Sequence, residues 1–170
     1  MQWDPAPPNF DIRLLNNLAL CERTRGNASE STKKFRALVR RCRRNRKTQE
    51  RTLQTVLINL GETLLAEGDL ESAQEAAREV LEAEERRDAT ALSAHASHLL
   101  GLCALRADDL GEAWERLDQA CNCYRINGVL LGLARALATK GYVEFLNGMD
   151  AALATSDEAL QVAHGTGRFI

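Results

Sequence analysis

Two histidines three residues apart, His95 and His98, and a cysteine pair, Cys121 and Cys123, preceded by Cys103, are the side chains of this 170-residue chain best suited by type to metal or nucleophilic chemistry. Their spacing argues against both. Two helical histidines that share one zinc ion with a base beside them need an i, i+4 interval and a neighbouring glutamate, as in HExxH, and neither is present. Cys121 and Cys123 lie two apart, so on a helix they point to different faces, and no CxxC knuckle occurs. Five cysteines form an odd set spread through helix-like sequence, which reads as reduced, packed thiols rather than a disulfide framework. No glycine-rich phosphate loop or nucleophile elbow occurs either. Glu82, Glu84 and Glu85 sit in a polar stretch that a solvated helix end explains. No enzyme activity, cofactor or metal is expected.

Charge is the stronger signal. From Lys33 to Arg51 there are ten basic residues against one acidic, although the whole chain carries a net charge of −2. The centre of this run, Arg40, Arg41, Arg43, Arg44, Arg46 and Lys47, ends one expected helix and begins the next, where cations complement the macrodipole. Three readings stay open: a solvated face, a surface for an acidic protein partner or second copy, and, as the alternative function, a nucleic-acid-binding helical repeat. The run holds no aromatic for base stacking, which weighs against the last.

These residues need elements to hold them, and the composition supplies helices. All three prolines lie at Pro5, Pro7 and Pro8, so the chain divides into a Pro-rich arm over 1–10 and one helical domain over 11–170. Within it a repeat recurs. Leu60-Gly61 aligns with Leu100-Gly101, Leu70 with Leu110, Ala73 with Ala113, and Val80 with Ala120. A third copy carries Gly141, Ala152 and Ala159, and a degenerate first copy puts Leu18-Ala19 in the Leu-Gly slot. The anchors at 19, 61, 101 and 141 are spaced by 42, 40 and 40 residues. A small residue in this slot lets the first helix of a pair lie close against the second. Gly68-Asp69 supplies a left-handed stop and an N-cap, and Asp109 with Glu112 forms a capping-box pattern. The spacing predicts helices at 11–24, 28–44, 48–66, 70–86, 88–107, 110–126, 128–147 and 150–164. Paired, they give repeats at 11–47, 48–87, 88–127 and 128–164.

The runs LGETLLAEGDLESA and LGLCALRADDLGEA resemble tetratricopeptide repeats, in which Leu-Gly precedes a glycine before the turn and an alanine early in the second helix. The repeats are about 40 residues rather than 34 and lack the closing proline, as in the long arrays of MalT-like bacterial regulators. The resemblance implies a right-handed all-α solenoid of four antiparallel helical hairpins, acting as a protein- or peptide-binding scaffold or regulatory module. It also implies that the first helix of each pair lines a concave face. Carried over by register, that face takes Arg13, Asn16, Leu20 and Arg23 from the first repeat, and Thr55, Ile58, Glu62 and Leu65 from the second. The third adds His95, His98, Leu102 and Leu105, and the fourth Arg135, Ala138, Tyr142 and Phe145. A groove apolar at its centre with scattered arginine and histidine suits an amphipathic or acidic peptide. Its expected centre is His98, Leu102, Tyr142 and Phe145, with binding sensitive to pH near the unperturbed imidazole pKa of about 6.5.

No uncharged apolar run approaches a membrane span, and MQWDPAPPNF lacks the regions of a secretory signal, so a cytoplasmic setting is expected. The chain ends at HGTGRFI with no polar capping helix, which predicts either a piece of a longer protein or self-association through the C-terminal end.

Overall fold

A computed structural model describes residues 10–44, 50–85 and 90–165, and all its regular structure is helical. The helices are α1 (Phe10–Thr24), α2 (Ala28–Arg44), α3 (Glu50–Glu67), α4 (Leu70–Glu84), α5 (Ala91–Arg106), α6 (Leu110–Ile126), α7 (Leu130–Leu146) and α8 (Ala152–Gly165). Every end lies within three residues of the position expected from the repeat. Residues 1–9 of the Pro-rich arm, together with Arg46 and Lys47 of the basic run, lie outside the described residues.

The turns have the chemistry that the sequence specifies. Gly68 takes φ of +85°, a conformation that a Cβ disfavours, and ends α3. Asp69 then caps α4, its Oδ1 accepting from the Ser72 amide at 3.2 Å. One repeat later Asp108 occupies the same left-handed region at φ of +62°, and Asp109 caps α6 by accepting from the Glu112 amide at 3.0 Å. Thr90 caps α5, accepting from the Ser93 amide at 3.1 Å, and donates its hydroxyl hydrogen to buried Glu84 at the end of α4.

Close approach within and between pairs follows from the small residues. A Cβ added to Gly101 would come within 2.8 Å of buried Leu117, and one on Gly61 within 2.5 Å of Leu99 on the next first helix. On Gly141 it would meet Ser156 Oγ at 2.6 Å. Side chains of ordinary size in these slots would push α3, α5 and α7 away from their neighbours.

Each helix packs on the next in sequence, from α1 to α8. In addition α1 meets α3, α3 meets α5 and α5 meets α7, whereas no two of α2, α4, α6 and α8 meet. First helices thus form a closed inner layer and second helices a spread outer one, so the stack bends toward the first-helix side. The fold is an all-α solenoid of helical hairpins. Its core runs between the layers, from Phe35, Leu57, Val80 and Leu99 to Tyr124, Leu137 and Ala159.

Candidate functional site

The concave layer holds a cavity of about 380 Å³. Every first helix contributes to its wall and no second helix does. α1 supplies Arg23 from its last turn, and α3 supplies Glu62, Leu65 and Ala66. α5 lays His95, His98, Leu99, Leu102 and Arg106 along one side, and α7 supplies Arg135. Positions 95, 98, 102 and 106 recur at the helical period, which brings them to one face of α5. The register had reached Leu105 and not Arg106, and continuing the stripe by four residues from Leu102 would have found it.

Not all expected groove residues converge here. Ile58 is 6% exposed and belongs to the core, because the face of α3 that carries it turns inward with Leu57 and Leu64. Leu105 is half-buried and packs beside Ala104, Leu117 and Val143. Tyr142 and Phe145 do not line the cavity with His98 and Leu102. They stand on the later turns of α7 with 54% and 70% of their surface exposed, so neither ring packs into a neighbouring repeat.

The electrostatics of the cavity come from six residues: Arg23, Glu62, His95, His98, Arg106 and Arg135. Arg23 Nη1 lies 2.7 Å from Glu62 Oε2, an ion pair joining α1 to α3. Arg106 and Arg135 make no ion pair among the described residues, and both are exposed. His95 Nδ1 shares a hydrogen bond of 2.8 Å with the hydroxyl of Tyr124. That tyrosine comes from α6, passes between the layers, and meets both imidazoles edge-on, with ring centroids 5.1 and 6.2 Å away. Gly132 on α7 makes room for it, since a Cβ there would sit 2.5 Å from the ring. Burial lowers the pKa of His95, with Glu62 opposing and Arg135 assisting. Burial, then Arg135 and His95, lowers that of His98 to about 4. His98 is therefore neutral at pH 7, and the groove does not titrate at this residue near 6.5. It is 6% exposed, and its Nε2 has no hydrogen-bond partner.

The basic segment lies on the outer layer and is largely engaged. Arg41 pairs with Asp11 on α1, while Arg43 lies 2.6 Å from Glu79 and Arg36 3.8 Å from Asp69, both carboxylates lying at α4. Arg40 and Arg44 remain exposed beside a shallow depression that they share with Arg41.

A polar cluster invisible in the sequence joins α6 to α7. Lys140 Nζ lies 2.6 Å from Asp118 and 4.9 Å from the ring centroid of Trp114, whose indole N–H donates to buried Glu144 at 3.0 Å. Among the described residues no three His, Cys, Asp or Glu side chains gather as a metal site requires, and no helix is long and apolar enough to cross a membrane.

With this geometry in place, solved structures give the comparison that decides the architecture. The chain superposes on BtubC from P. vanneervenii with a TM-score of 0.78 at 18% identity, covering 99% of this chain and 69% of that one. It matches the apo form of RapI with a TM-score of 0.75 at 15% identity, covering 91% of this chain. The Podosopora anserina putative kinesin light chain, with nearly identical TPR-like repeats, matches with a TM-score of 0.61 at 13% identity over 97% of this chain. The fold is tetratricopeptide-like. The chain spans 43% of the length of RapI. No protein-family profile matches the sequence, and no curated protein does.

Proposed function

We propose that this tetratricopeptide-like solenoid is a non-enzymatic interaction scaffold that holds a segment of a partner protein on its concave face. The observation that carries the reading is the cavity of about 380 Å³ built by all four first helices and by no second helix. Its size is that of a ligand cleft, and it mixes apolar wall with a few directed polar groups. Two of the cysteines argue for binding rather than catalysis. Cys103 and Cys121 are buried, and desolvation pushes both thiols up to about 11, so neither supplies thiolate at pH 7. A regulatory role in the cytoplasm is the setting we assign to it.

Random heptapeptides selected on the full chain provide the test. Selected peptides should lose binding to an Ala66→Trp variant, because Ala66 is exposed and a ring there fills the cavity without entering the core. Binding unaffected by Ala66→Trp would contradict the reading. The nucleic-acid alternative has Arg40 and Arg44 on its side. It predicts a gel shift with a steep salt dependence that Arg40→Glu and Arg44→Glu abolish.

A further inference from the structure

We infer that the furrow between α1 and α2 receives α8 of a second copy of this chain, so that copies stack head to tail as the helix pairs do within one copy. The inference does not rest on what the concave face holds. The furrow is a cavity of about 200 Å³ lined by Leu15, Leu18, Lys34, Ala37, Leu38 and Arg41. Leu15 and Leu18 form its α1 wall and are 38% and 47% exposed. The repeat supplies the precedent for what covers them. Counted back from the Leu-Gly slot, Leu15 matches Leu57, Ser97 and Leu137, and Leu18 matches Leu60 and Leu100. None of these five counterparts is more than 7% exposed, because α2, α4 and α6 pack on α3, α5 and α7.

The matching furrow one repeat on has α2 lying along it. Leu57 and Leu60 of α3 and Glu79 of α4, the counterparts of Leu15, Leu18 and Ala37, line it together with Val39 and Arg43 of α2. Val39 follows the buried Leu38, and Leu81, Cys121 and Leu160 hold the same place after Val80, Ala120 and Ala159. Val39 and Cys121 are buried and Leu81 packs against the core, whereas Leu160 on α8 is 51% exposed and Leu153 81%. Leu153, Asp157 and Leu160, at i, i+4 and i+7, form one stripe. Thus α8 offers the face that α2, α4 and α6 cover, and α1 offers the face that α3, α5 and α7 cover. Charge agrees with the pairing. The α2 wall carries seven basic residues against one acidic, α8 carries two acidic residues and no lysine or arginine, and exposed Asp157 comes between the two leucines. Two different patches of one chain meet in this contact, so it is heterologous, and association continues past the dimer into a ring or a filament.

Light scattering on the full chain and two blocked variants decides the matter. The wild type should gain mass with concentration and pass beyond a dimer. Leu153→Glu with Leu160→Glu leaves only the α1–α2 face intact, and Leu18→Glu with Ala37→Arg leaves only the α8 face. Each variant alone should stay monomeric with wild-type helicity, because all four side chains are exposed. Mixed in equal amounts, the two should form a mixed dimer and stop there, since one good face of each kind remains. Ala37→Arg alone blocks the furrow from an exposed helix position and serves where the double change unsettles α1. A monomeric wild type, or a mixture no heavier than its components, would overturn the inference. So would self-association of the furrow-blocked variant, which would mean that α8 meets its own kind.

Discussion

His98 shows what one residue costs and does in this fold. Its position on the concave stripe was legible, since 95, 98 and 102 repeat at the helical period, but its burial was not. The sequence does not reveal that Tyr124 crosses from α6 through the space left by Gly132 and packs edge-on against both imidazoles. Desolvation holds the folded pKa at about 4, below the unfolded value of about 6.5, so between these pH values the unfolded chain binds the extra proton. Stability is therefore full above about pH 6.5 and falls as the pH drops toward 4, with His98 contributing a loss on the order of 3 kcal/mol. Urea melts from pH 4 to 8 should show this slope, and His98→Gln should make it shallower. An unchanged slope would contradict the burial of His98. Tyr142 and Phe145 behave oppositely. Being mostly exposed, they should cost less than about 1 kcal/mol when changed to alanine, against roughly 3 to 5 for a buried ring. A large fall in melting point for Phe145→Ala would show that the ring packs inside.

At the scale of the helix pair, glycines and caps were the most legible features, because turn chemistry and close approach need particular residues at particular positions. Gly68, Asp69 and Asp109 do what their types dictate. Contacts between distant elements were not legible. Trp114, Asp118, Lys140 and Glu144 lie more than twenty residues apart across α6 and α7, and nothing local signals their meeting. Two glycines test the packing account with opposite signs. Gly132→Ala places a methyl against the Tyr124 ring, and overpacking of about 1 to 3 kcal/mol should outweigh the helix-propensity gain of at most about 1. Gly111→Ala meets nothing nearer than 3.6 Å in α6 and should raise the melting point instead. Equal shifts for the two would contradict the close approach of α6 to α7.

Over the whole molecule, the basic run illustrates how a sequence signal changes meaning when folded. Its charges had three readings, and the structure brings carboxylates from α1 and α4 against Arg36, Arg41 and Arg43. Exposed pairs of this kind contribute little stability, but they lower the outward field. The end of the stack carries a separate expectation. Each second helix packs on the following first helix, yet Leu153 and Leu160 on α8 are 81% and 51% exposed, and Leu14, Leu15 and Leu18 on α1 are exposed as well. Self-association through the C-terminal end, expected from the sequence, would cover the leucines of α8. Light scattering should show concentration-dependent association that Leu153→Glu with Leu160→Glu removes, and a strictly monomeric wild type would contradict it.

The claim on which the functional account turns is that the layer of first helices receives the partner. Amide chemical-shift mapping of the full chain with a selected heptapeptide tests it most directly. The account predicts perturbations concentrated on α3 and α5, from Glu62 to Ala66 and from His95 to Arg106, with further changes at Arg23 and Arg135. Perturbations confined to α2 and the other outer helices would contradict it.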